Sequence, residues 1–83
     1  MSDALIALMH ELVRGIALET ISADAMFGLA ERAEAMGRTE EASTVRSIAR
    51  MHRAKVIEFQ ACLDALHGEV EDAVSPAPPS GKR

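Results

Sequence analysis

Apolar residues near the start of the chain recur at the three- and four-residue intervals of an amphipathic helix. They are Leu5, Leu8, Met9, Leu12, Val13 and Ile16. This pattern predicts a first helix over about residues 3–19. Its apolar face is wider than one partner helix normally covers, so we expect this helix to contact two neighbours.

A second helix is predicted over about residues 22–36, with Ser22 as a suitable N-cap and Asp24 in the first turn. At ~100° per residue, its apolar residues lie roughly 140° around the helix from those of the first stretch. This shift favours a break near residues 20–22. Because neither glycine nor proline forces that break, a single kinked helix is the alternative.

A long third helix, about residues 39–73, follows a turn in which Gly37 suits a left-handed C′ position. Its apolar positions alternate spacings of four and three, like one strand of a coiled coil. They are Val45, Ala49, His52, Val56, Phe59, Leu63, Leu66, Val70 and Ala73. We therefore predict one all-α domain over residues 1–74, either an antiparallel helical hairpin or a three-helix unit. The proline-rich segment 75–83 is predicted to be disordered.

The small size of the domain favours pairing with another chain. Eighty-three residues bury only a thin core, although 48% of them are apolar. We therefore expect a homodimeric helical bundle. The apolar residues expected at its interface are Leu5, Leu8, Leu12, Phe59 and Leu63.

Charge is segregated along the third helix, although the formal net charge of the chain is only -4. Its first half carries the cations Arg46, Arg50, Arg53 and Lys55, and its second half is acidic. An antiparallel mate would match opposite signs, and within the hairpin Glu31 could face Arg46 and Asp24 could face Arg53. Nucleic-acid binding through these arginines is one functional option, but the negative net charge of the chain argues against it. The predicted interaction surface therefore includes Arg46, Arg50 and Arg53, together with His52 of the same helix.

The remaining chemistry indicates neither an enzyme nor a cofactor. A lone histidine in a helical seam, such as His52, is typical of a tolerated core residue or a register device. Asp64 and His67 share one helix face, but no second pair completes a metal site. The single cysteine, Cys62, and the lack of a signal segment favour a reducing cytoplasm. No apolar run is long enough to span a membrane.

The segment "MHELVRG", residues 9–15, resembles the phospho-acceptor box of histidine kinases, in which an acidic residue and leucine follow the histidine. The resemblance implies His10 as the acceptor of a phosphotransfer or docking module. It also implies a helix that continues well past the histidine, whereas the pattern predicts an end near residue 19.

The segment "RGIALETISADAM", residues 14–26, is similar to part of the TraM family of small helical antiactivators. The matched positions include Leu18, Glu19 and Ile21. Ile48, Met51 and His52 lie where the second helix of that family carries a similar Met-His pair. The hairpin loop here is much shorter than in that family. The resemblance implies sequestration of a LuxR-type quorum-sensing regulator. Together with the patterning, it predicts a non-enzymatic protein-protein interaction module.

Overall fold

The computed structural model describes residues 2–74, and these form two α-helices, α1 (Asp3–Ala35) and α2 (Thr39–Val74). The helices pack side by side, with Gly15 against Phe59 near one end and Glu34 bound to Arg46 near the other. Residue numbers therefore rise on α1 as they fall on α2, which makes the pair antiparallel. The all-α prediction is confirmed in its hairpin form. The predicted disordered segment 75–83 and the side chain of Ala73 lie outside what the structure describes.

The break predicted at residues 20–22 is absent, because α1 continues through it as one helix. Ser22 is a half-buried helical residue, and the N-cap is Ser2, whose Oγ accepts a hydrogen bond from the Leu5 amide at 3.1 Å. The three-helix alternative therefore does not describe residues 2–74. The apolar shift that suggested a break has another cause: Leu8 and Val13, counted as part of the buried face, are exposed.

The connection between the helices is a Schellman turn centred on Gly37. Gly37 has φ +78°, the left-handed conformation expected for this position. The Arg38 amide donates to the Ala33 carbonyl at 2.8 Å, and the Gly37 amide donates to the Glu34 carbonyl at 3.0 Å. These bonds satisfy the last carbonyls of α1 and reverse the chain within three residues.

Each helix contributes one seam to the contact. On α2 the seam begins at Ala42 and then follows the predicted positions to Val70, all of which are buried or half-buried. On α1 the seam also alternates spacings of four and three. Its members are Leu5, Met9, Leu12, Ile16, Glu19, Ala23, Met26, Ala30 and Ala33. Gly68, a candidate early end for the last helix, lies inside α2.

The core along this contact is thin and made mainly of alanine. Within residues 2–74 the buried apolar residues are Ala23, Ala30, Ala42, Ala49 and Leu63. The alanines lie in the half nearest the turn, where small side chains let the helix backbones approach closely. None of the large side chains in the described range is fully buried. One layer of two helices therefore leaves each large seam residue partly uncovered. No helix over this range is long and apolar enough to cross a membrane.

Candidate interaction surfaces

The hairpin presents two flanks, one on each side of the seam. Phe27 and Leu29 lie two residues apart on α1, about 200° around the helix, so they fall on opposite sides of the contact. Arg46 and Ile48 are related in the same way on α2. Since Phe27 and Arg53 meet across the helices, Phe27 and Arg46 belong to one flank, and Leu29 and Ile48 belong to the other.

The ionic flank is defined by Asp24, Phe27, Glu34, Arg46 and Arg53. The Arg53 guanidinium lies 5.1 Å from the centre of the Phe27 ring and 3.9 Å from the Asp24 carboxylate. Arg46 forms an ion pair with Glu34. The predicted facing of Asp24 and Arg53 is confirmed, whereas the partner of Arg46 is Glu34 rather than Glu31. These pairs direct two of the predicted cations toward acids of the same chain.

The apolar flank carries most of the exposed large apolar side chains of the described range. The exposed fraction of its side chains ranges from 39% for Ile48 to 67% for Met51. Leu29 and Met36 also line a shallow groove together with Val45. We define the apolar flank by Leu8, Leu18, Leu29, Met36, Ile48 and Met51. Such a concentration of exposed apolar side chains on one side of a small protein is typical of a binding surface.

The predicted lone histidine of the seam has a partner. His52 Nδ1 lies 2.5 Å from Glu19 Oε1, and the two side chains are 33% and 26% exposed. The pair occupies facing seam positions between the alanine-rich half and the half with larger side chains. Sequence patterning identified the position of His52 but missed Glu19, because the apolar residues beside it masked the seam of α1.

The predicted interaction residues divide into three groups. Four of the apolar ones, Leu5, Leu12, Phe59 and Leu63, lie in the seam between α1 and α2, as does His52. Arg46 and Arg53 take part in the ionic flank, and Arg50 is exposed beside it. Leu8 alone of the predicted apolar set lies on the apolar flank. The other α1 residues of that flank were missed because α1 was divided into two helices.

His10 is exposed on α1 and lines a groove of about 340 Å³ near the open end of the hairpin. The groove is otherwise mostly apolar, and its second histidine is His67. Within residues 2–74 no three side chains of His, Cys, Asp or Glu are grouped closely enough to hold a metal ion. Cys62 is a free, exposed thiol.

Comparison with known proteins found no family model that matches the chain, and no curated protein or solved structure that is significantly similar to it.

Proposed function

We propose that the protein is a non-enzymatic helical interaction module that pairs as a homodimer and binds a regulatory protein. The observation that carries this proposal is the apolar flank, beside a seam in which no large side chain of residues 2–74 is fully buried. A second helical layer would cover both the flank and the uncovered edges of the seam. Burial of that apolar surface would supply the stability that a two-helix layer lacks.

A transcription regulator is the partner class that the TraM resemblance suggests. Among the residues that carry the resemblance, Leu18, Ile21, Ile48 and Met51 are exposed. The hairpin does not bury them for its own stability, so they are available to another protein. Sequestration of a LuxR-type regulator, which would replace the second copy on Leu18, Ile48 and Met51, is the specific form of the proposal.

Two measurements test the proposal. Light scattering at micromolar concentration should give the mass of a dimer. The protein, mixed with a LuxR-type regulator and its operator DNA, should release the regulator from the DNA. The double variant Leu18→Glu/Ile21→Glu should lose this effect and, below its lowered Tm, keep its helicity, since both side chains are exposed. A monomer that leaves regulator and operator undisturbed would contradict the proposal.

The second candidate is a phosphotransfer module that uses His10. One observation favours it: α1 continues 25 residues past His10, as the resemblance to the phospho-acceptor box requires. The side chain is also exposed, which access by a phosphodonor demands. Incubation with labelled acetyl phosphate should then yield an acid-labile adduct that His10→Gln abolishes. Absence of label on the wild-type protein would remove this candidate.

Nucleic-acid binding, the third option, has less support. Arg46 and Arg53 face acidic side chains of the same chain, so the stripe presents less free positive charge than the sequence of α2 suggests. We expect no shift of duplex or single-stranded nucleic acid at physiological salt. A sub-micromolar affinity for nucleic acid that falls steeply with salt would instead favour nucleic-acid binding over the other two candidate functions.

A further inference from the structure

We propose that the apolar flank is the surface on which a second copy of this chain docks, with the two hairpins running in opposite directions. This inference rests on the proposed homodimer and adds its surface and its orientation.

The choice of flank follows from the side chains that each one exposes. The ionic flank pairs its charges internally, through Arg46 with Glu34 and Arg53 with Asp24. A copy that docked there would have to desolvate these charges. Docking on the apolar flank instead removes large apolar side chains from water and covers the exposed edges of the seam.

The orientation follows from the charges that border the apolar flank. At the open end of the hairpin these are the exposed carboxylates of Glu11, Glu58 and Glu69. In the half nearer the turn they are Arg32, Lys55 and Glu41, which are also exposed. A second copy in the same direction would place three carboxylates against three carboxylates. The opposite direction instead places the acidic end of each copy against the end nearer the turn, where Arg32 offsets the charge of Glu41, and leaves Lys55 near the centre.

The antiparallel arrangement also gives a specific match along α1. In this arrangement α1 of one copy stacks on α1 of the other. We place the two-fold axis at residue 22, midway between Leu8 and Met36. Glu11 then faces Arg32 of the second copy, and Leu8 faces Met36 of the second copy. One acidic match, Glu41 with Glu58 of the second copy, falls along α2, where both side chains are exposed and solvent and salt screen it.

Distances between spin labels measure the orientation. A label on the native Cys62, which is exposed, should lie ~30–39 Å along the helix axis from its symmetry mate. Glu19 faces His52 and Gly15 faces Phe59, so residue 22 is level with residues 49–52 of α2, and the two labels are about 20–26 residues apart at 1.5 Å per residue. A label on Glu69→Cys in a Cys62→Ala background should lie ~50–60 Å from its mate along the same axis. Copies in the same direction would instead place each label within roughly two helix diameters, ~20 Å, of its mate.

A charge exchange tests the facing of Glu11 and Arg32. Arg32→Glu should weaken dimerisation on the order of tenfold, because two symmetric attractions become repulsions. The double variant Glu11→Arg/Arg32→Glu should restore the wild-type dissociation constant, which sedimentation equilibrium measures. The matched control is Glu31→Arg/Arg32→Glu, which changes the composition in the same way but places the arginine at residue 31, on the ionic side of α1. This variant should not restore the wild-type dissociation constant.

The outcomes separate this inference from the proposed function. The two long distances together with rescue by the charge exchange support it. A dimer with short distances at both positions overturns the orientation, and a dimer unaffected by Leu29→Ser/Ile48→Ser overturns the choice of flank; in both cases the proposed homodimer survives. A monomer at all accessible concentrations overturns the inference and the homodimer together.

Discussion

Glu19 and His52 form the polar contact that interrupts the apolar seam at the middle of the hairpin. Each occupies a position where an apolar residue would pack, and each is only partly exposed, so each depends on the other for a hydrogen bond. Removing one partner leaves the other without its hydrogen bond, whereas replacing both with apolar residues leaves no unpaired polar group in the seam. The pair therefore contributes specificity of register more than stability.

His52→Leu alone should lower the free energy of unfolding by about 1 kcal/mol, because the Glu19 carboxylate then faces a leucine. The double variant Glu19→Leu/His52→Leu should exceed the wild type by about 1 kcal/mol or more, since two apolar side chains complete the seam. Urea unfolding followed by circular dichroism measures both values. If His52→Leu alone is more stable than the wild type, the hydrogen bond does not constrain the seam.

Gly15 and Gly68 are both helical glycines, but they have different surroundings. A Cβ at Gly15 would lie 2.9 Å from Phe59 Cε2, whereas a Cβ at Gly68 meets nothing within 4 Å. Gly68→Ala should therefore stabilise the protein by about 0.5–1 kcal/mol through helix propensity. Gly15→Ala must displace the Phe59 ring, so it should be about 1–2 kcal/mol less stable than Gly68→Ala. Equal thermal stabilities of the two variants would mean that the ring moves freely.

Sequence reasoning predicted single residues well where the physical signal was local. Gly37 in the turn is an example, because its left-handed conformation follows from glycine chemistry. The facing of Asp24 and Arg53 also followed once a hairpin was assumed. The Glu34 partner of Arg46 and the Glu19 partner of His52 could not be derived, because they depend on the register between the helices. That register is fixed by the turn and by the seam of α1.

At the scale of the helices, α2 was predicted within one residue at its C-terminal end, and α1 was divided in error. The seam of α2 has no competing stripe, so its alternation is unambiguous. On α1 the buried seam and the exposed apolar flank lie next to each other. The apolar residues of both surfaces together gave the wide face and the false shift. An exposed apolar surface therefore obscured the surface that serves folding.

Substitution at Ile21 tests the continuity of α1. Ile21→Pro should cost about 3 kcal/mol or more, because proline removes a helical hydrogen bond and clashes with the preceding turn. Ile21→Ala should change stability little, since the side chain is 64% exposed. Thermal unfolding of the two variants gives the comparison. A proline variant as stable as the alanine variant would indicate the break near residues 20–22 that the sequence suggested.

Over residues 2–74 the molecule is a single helical layer with unequal sides. Alanines close the seam near the turn, larger side chains remain partly open toward the other end, and the apolar flank runs beside both. Such a layer buries too little apolar surface to be strongly stable alone. Folding and association should therefore be coupled, so that a variant which weakens the dimer also weakens the fold.

This coupling predicts that thermal stability depends on protein concentration. If the folded species is a dimer, mass action should raise Tm by about 3–6 °C for each tenfold increase in concentration. Leu29→Ser/Ile48→Ser should lower Tm and remove this dependence, because both side chains lie on the apolar flank. Ile57→Ser is the matched control: Ile57 is equally apolar and 68% exposed, but it lies on the other side of α2. Its Tm should keep the wild-type dependence on concentration. A wild-type Tm that does not change between 5 and 500 µM, roughly two tenfold steps, would mean that the hairpin folds as an independent monomer.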